Sequence, residues 1–257
     1  NAAVTTTSGD VSVSGTAGAG TSSDNHGLEM AAPVQTDSGN IFLTGTGGAG
    51  TTSNKGIFWT GSSPTITSAS GNITITGTGG NGTGDSNRGI ELRAPVQTGG
   101  AGTITINGTA GTGGTSDNFG TYISNLVKTA NGAISITGTG LGSTGSNDGI
   151  RIRGDGSIVA TGAASVTLTG NGAASAPGIS IDTTGGIPGP GAVATAGNAF
   201  LTAGSGSNIE ISPGVINANG TLELIADGSI VLGNGAQIVS NGAGTINVTL
   251  NSDADAI

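Results

Sequence analysis

One short phrase, a glycine followed by alternating apolar residues, returns along the whole chain. It is marked by Gly9, Gly39, Gly71, Gly102 and Gly132, then by Ala164 in glycine's place, then by Gly197, Gly220 and Gly244. The intervals are 30, 32, 31, 30, 32, 33, 23 and 24 residues. A unit of this length cannot bury an apolar face by itself, so the units must stack on one another. Apolar side chains stand two and four residues after each marker: Val11/Val13, Ile41/Leu43, Ile73/Ile75, Ile104/Ile106, Ile134/Ile136, Val166/Leu168, Ala199/Leu201, Leu222/Leu224 and Ile246/Val248. This period of two selects strands with one buried face.

A second strand follows a glycine-rich loop, with Leu28/Met30, Ile57/Trp59, Ile90/Leu92, Ile150/Ile152, Ile179/Ile181 and Ile209/Ile211 pointing inward. A third is carried by APVQT at 32–36, repeated word for word at 94–98. Three strands per unit close a triangular coil whose backbone groups pair with the coils above and below. The predicted fold is all-β: a right-handed parallel β-helix, or β-solenoid, of about three short strands per coil and eight to nine coils. Residues 1–186 form coils of about 31 residues with glycine-rich loops, and residues 187–257 continue as shorter coils of about 24. The change falls at GGIPGPG, where Pro188 and Pro190 come together.

Composition fits an elongated body better than a globule. Glycine supplies 53 of 257 residues, while aromatics are 2% and charged residues 8%, too few for an ordinary core or an ordinary charged surface. A mean hydropathy of +0.11 and regularly spaced Ile, Val and Thr argue for order over disorder. The formal charge of −9, with six Lys plus Arg and no basic run, argues against nucleic acid as a partner. There is no cysteine for a disulfide or thiolate site. No apolar run approaches the roughly 18 residues of a membrane span. GTGG, GTAG and GNG look like phosphate-binding loops, but no helix follows them and no GK[ST] occurs. They read as corners, and no cofactor is expected.

Two outward arrays stand out. Along strand 2, His26, Lys55, Arg88, Phe119 and Asp148 precede the strand, Glu29, Phe58, Glu91, Tyr122 and Arg151 lie within it, and Arg93 and Arg153 flank it. Five of the six basic residues fall on this stripe. Its candidate contact residues are Lys55, Phe58, Arg88, Glu91, Arg93, Phe119, Tyr122, Arg151 and Arg153, with the aromatics expected in the open. Aromatics and Arg dominate contact energies. The competing reading is that Arg and Glu of adjacent coils pair to hold register.

Along strand 1, Thr44/Thr46, Thr76/Thr78 and Thr137/Thr139 form a Thr-Gly-Thr array, varied as Ser14/Thr16, Asn107/Thr109 and Thr169/Asn171. Such a row resembles the Thr faces of ice-binding β-solenoids. Phe42 and Phe200 interrupt it, and the intervening glycine reads as a corner. An ordinary ladder of β-branched residues is the plainer account.

Asp24, Asp85, Asp117 and Asp148 adjoin or lie near Asn25, Asn87, Asn118 and Asn147, a calcium-like composition. GGNGTGDSN breaks the spacing of nonapeptide calcium repeats, so Asn stacking and Asx turns are expected instead. Catalysis finds little support: Asp148, Arg151, Arg153 and Asp155 form the only dense charged group, without a second carboxylate pair from an adjoining coil. His26 lacks a nucleophile or metal-ligand cluster around it. A non-enzymatic protein with no metal site is expected.

The words GNIFLTGTGG, GNITITGTGG and GAISITGTG, with GTLELIADGSIVLGNGAQIVS further on, resemble secreted bacterial β-solenoid exoproteins of the filamentous haemagglutinin type and β-strand-repeat passengers of autotransporters. The resemblance covers nearly all of the chain as low-complexity repeat similarity. It implies an extracellular, cell-surface location and a structural or adhesive role in a fibre or biofilm. The implied partners are other copies or fibre segments, a polysaccharide or a cell-surface receptor. Ice binding is the alternative reading, and a carbohydrate-active enzyme ranks behind both.

Overall fold

A computed structural model describes residues 3–61, 65–173, 175–183, 192–204 and 206–239, and the backbone of 248–252. The chain is an all-β parallel solenoid with three strands per coil, each contributing to one of three sheets. No helix occurs among the described residues, so none is long and apolar enough to cross a membrane. Among the described residues the strand 1 sheet has nine strands, beginning with Val11–Thr16, Ile41–Thr46 and Ile73–Thr78; the strand 2 sheet has eight, from Leu28–Met30 to Ile230–Leu232, and the strand 3 sheet nine, from Val4–Thr6 to Ala236–Val239.

Strand 1 begins at residues 11, 41, 73, 104, 134, 166 and 199, giving six full-width turns, fewer than the eight to nine coils expected. Slimmer turns follow. Residues 79–89 join strand 1 to strand 2 in a full-width coil, whereas residues 205–208 suffice in a slim one. The expected boundary at 186/187 lies outside the described residues.

All pairings are parallel and in register, so each interior column repeats one environment. Ile41, Ile73, Ile104, Ile134 and Val166 align in strand 1 and are at most 1% exposed. Removing such a side chain from water stabilises the fold by about 1.5–3 kcal/mol. In strand 2, Thr121 fills the position that Ile90 and Ile150 take in the neighbouring coils. Its hydroxyl donates to the Thr137 carbonyl at 3.1 Å, which explains a polar residue in an apolar column. At the far end, Leu222 pairs with Val248, although the marker Gly244 predicted Ile246 there. A shift of two residues preserves the pleat. Gly244 and Ile246 lie outside the described residues.

Two glycine columns set the slim cross-section. Gly15, Gly45, Gly77, Gly108, Gly138 and Gly170 lie inside six-residue strands, which overturns the reading of the Thr-Gly-Thr glycine as a corner. A Cβ on Gly77 would stand 2.3 Å from the Gly89 carbonyl oxygen, and one on Gly89 would stand 2.4 Å from the Thr109 nitrogen. The backbones of strands 1 and 2 therefore meet where no side chain intervenes. In the slimmer coils Ala203 and Ala226 take the strand 1 position.

Side chains also tie coil to coil. Asn25, Asn54, Asn87, Asn118 and Asn147 stack at the loop exit before strand 2. Asn54 Nδ2 donates to Asn87 Oδ1 at 2.9 Å, and Asn118 Nδ2 to Asn147 Oδ1 at 3.3 Å. Each acceptor also takes a backbone N–H from the coil before it: Asn54 N–H to Asn87 Oδ1, Asn87 N–H to Asn118 Oδ1 and Asn118 N–H to Asn147 Oδ1, at 3.0, 2.8 and 3.1 Å. These amides satisfy interior groups that strand pairing leaves open. At the end of strand 3, buried hydroxyls accomplish the same: Ser68 and Thr98 donate to the carbonyls of Gly39 and Gly71, at 3.0 and 2.8 Å.

Candidate functional site

Register places the unusual residues of strand 2 in three outward columns. Glu29, Phe58, Glu91, Tyr122, Arg151 and Ser180 form the central one. His26, Lys55, Arg88, Phe119 and Asp148 stand three residues earlier in their coils, each just before a glycine of the second column. On the other side, Arg153 pairs with Asp182, and Ser124 occupies the rung between Arg93 and Arg153.

Glu91 is the electrostatic centre. It lies in register between Phe58 and Tyr122 and is 0% exposed, although its strand position faces outward. Arg93 Nη2 approaches its Oε1 at 2.5 Å, while Arg88 Nη1 and Lys55 Nζ approach its Oε2 at 2.9 and 3.5 Å. Burial pushes the Glu91 carboxyl up, but the fields of Arg88, Lys55 and Arg93 outweigh it and hold the group below the ordinary carboxylate range. Burial depresses the Lys55 ammonium, against the pull of Glu91. The imidazole of His26 is also lowered, by burial first and by Lys55 second.

The aromatics belong to the same packing. Lys55 Nζ lies 4.3 Å from the Phe58 ring centre, and the Arg88 guanidinium lies 4.9 and 4.7 Å from those of Phe119 and Tyr122. The two rings stack at 5.9 Å with 13° between their planes. Desolvated cation–π contacts of this kind contribute about 2 kcal/mol. Phe119, expected in the open, is only 3% exposed, and Lys55 is 6% exposed. Phe58, Tyr122, Arg88 and Arg151 are half-buried, and Arg93 and Arg153 reach furthest into solvent. Arg and Glu were expected to pair between coils; here Arg88 and Arg93 share the coil of Glu91, and only Lys55 reaches it from a neighbouring coil, around a buried carboxylate and not on an open surface.

Two coils along, Arg151 Nη1 holds Asp148 Oδ2 at 2.9 Å, and Asp182 of the next coil lies 3.7 Å from both Arg151 Nη2 and Arg153 Nε. Asp182 is the carboxylate from an adjoining coil that sequence reasoning missed. Its distance in sequence, 29 residues beyond Arg153, is one coil, and aligning the strand 2 pairs Ile150/Ile152 and Ile179/Ile181 would have found it. Asp148 is fully buried, and burial pushes its carboxyl up to about 6 despite Arg151. Asp155 is exposed and forms no ion pair among the described residues.

The loop aspartates take separate partners. Asp85 accepts from the Thr115 hydroxyl and from the Ser116 N–H, which lower its pKa, while Asp24 lies 3.8 Å from His26. Asp24 and Asp117 adopt φ of 62° and 58° immediately before ladder asparagines, a conformation that Asp tolerates in tight turns. Among the described residues no group of three His, Cys, Asp or Glu is arranged to hold a metal ion.

The Thr array lies on a different face. Thr44, Thr76, Asn107 and Thr137 align in one outward column and Thr46, Thr78, Thr109 and Thr139 in the next. Neighbouring columns are about 7 Å apart along the strand and neighbouring rungs about 4.8 Å apart. Phe42, in the column beside them, is 41% exposed. Comparison with family models, with curated protein sequences and with solved structures gave no match.

Proposed function

We propose that this chain is a shaft segment of an extracellular bacterial surface fibre, with a structural or adhesive role. The observation that carries the reading is the continuity of pairing along the axis. Three parallel sheets keep register across coils, and asparagine and hydroxyl ladders repeat the same connections inside. Force along the axis is then shared by several hydrogen bonds at every coil boundary, as a stiff fibre requires. Negative-stain electron microscopy of native surface material, labelled with an antibody to this segment, tests it. Slender filaments labelled on their shafts are expected; isolated short particles overturn it.

One observation favours a second reading, ice binding. The Thr-Gly-Thr words lie within continuous strands, so their hydroxyls and methyls form regular outward columns. Ice shaping by the purified chain, lost on Thr76→Tyr, would support that reading in place of the first.

A further inference from the structure

Among the described residues, the outward side of strand 1 carries no ionisable group between Asp10 and Glu223. On a chain of net charge −9, this is the face on which two copies meet with least repulsion. Its first outward column runs Phe42, Thr74, Thr105, Ser135, Thr167, Phe200 on successive rungs. Ser12 precedes that column and Glu223 follows it. Phe42 is exposed, Phe200 is half-buried, and no threonine of the Thr-Gly-Thr words is buried. A centre without charge, bracketed by aromatics, has the composition of an interface core.

We propose that this face binds a second copy of the chain, the two solenoid axes antiparallel, about a two-fold axis running along the strands between the Thr105 and Ser135 rungs. The inference goes beyond the fibre reading and does not rest on it. Under that axis each column faces itself with its rungs reversed. Phe42 of each copy then meets Phe200 of the other, Thr74 meets Thr167, and Glu223 at the edge meets the Ser12 hydroxyl. Asp10, one residue before Val11, meets Thr221, one residue before Leu222, so no carboxylate faces another. A parallel pair lacks this match. It sets Glu223 against its own twin or, with the columns offset by one, against Ile225, which like-charge repulsion and desolvation disfavour. Eight rungs at about 4.8 Å and strands of about 20 Å give roughly 600–700 Å² per copy, or roughly 1,200–1,400 Å² per pair, the lower part of the range for specific interfaces.

Sedimentation velocity of the purified chain from about 1 μM to about 1 mM tests this, and a dimer is expected. Thr105→Asp sets a carboxylate beside the two-fold axis in each copy and is expected to raise the dissociation constant roughly a hundredfold or more. Thr67→Asp adds the same charge to the outward side of strand 3 and is expected to leave the dimer unchanged. The chain has no cysteine, so a bismaleimide shorter than three rungs can read the orientation. Thr74→Cys and Thr167→Cys are expected to link only when mixed, because in the antiparallel pair each sulfur lies three rungs, about 14 Å, from its own twin. Melting curves establish that each variant is folded. A monomer throughout, an undiminished dimer in Thr105→Asp, equal weakening by Thr67→Asp, or linking of Thr74→Cys with itself each overturns the proposal. None of these outcomes bears on the labelled filaments, so the two readings fail separately.

Discussion

The Cβ that Gly77 lacks would stand 2.3 Å from the carbonyl oxygen of Gly89, an atom of the backbone that cannot rotate away. This contact recurs coil after coil and fixes the distance between strands 1 and 2. Gly77→Ala is expected to destabilise the chain by about 3 kcal/mol or more, the upper range for overpacking a rigid site. Gly18→Ala is the control, with nothing within 4 Å of the added methyl. It is expected to be nearly neutral in thermal melting.

The asparagine ladder requires an amide, not merely a polar side chain. Asn118 Oδ1 accepts the Asn87 N–H while its Nδ2 donates to Asn147 Oδ1. Asn118→Ala strands a buried N–H and an acceptor, for a loss of about 1–3 kcal/mol each in denaturant unfolding. Asn118→Asp removes the donor and buries a charge, so it is expected to be the worse of the two.

Glu91 compensates three cations. Glu91→Gln leaves Lys55, Arg88 and Arg93 crowded without a counter-charge, and a loss of about 3–5 kcal/mol is expected from breaking a buried pair on one side. Because its folded pKa lies below the unfolded value, its contribution is present above the ordinary carboxylate range. It is lost as pH falls through the depressed pKa. Acid unfolding monitored by circular dichroism should be shallower in Glu91→Gln.

Asp148 has the opposite sign. Its folded pKa is raised to about 6, so its contribution is full below the unfolded value near 4 and is lost as pH rises through about 6. By linkage, its ionisation costs roughly 2–3 kcal/mol at neutral pH. Asp148→Asn is expected to raise the melting temperature at pH 7.5 and to change it little at pH 4. An equal effect at both values would refute the assignment.

The repeat by itself determined the strands, the three-sided coil and the inward residues, because parallel in-register stacking gives each position the same environment in every coil. Ile73, Ile104 and Ile134 could be assigned to one column from spacing alone. The outward columns were legible as lists, with Lys55, Arg88, Phe119 and Asp148 already in order. What those side chains touch was decided only in three dimensions. Glu91 is enclosed because neighbouring rungs carry aromatics and flanking positions carry cations, so an outward strand position became a buried one. Asp182 meets Arg151 and Arg153 because one coil returns the chain to the same rung. Position 77, inside a strand, is held by glycine because the backbone of strand 2 passes directly beneath it. Period dictates which residues share a column; the closing of the coil dictates which columns meet.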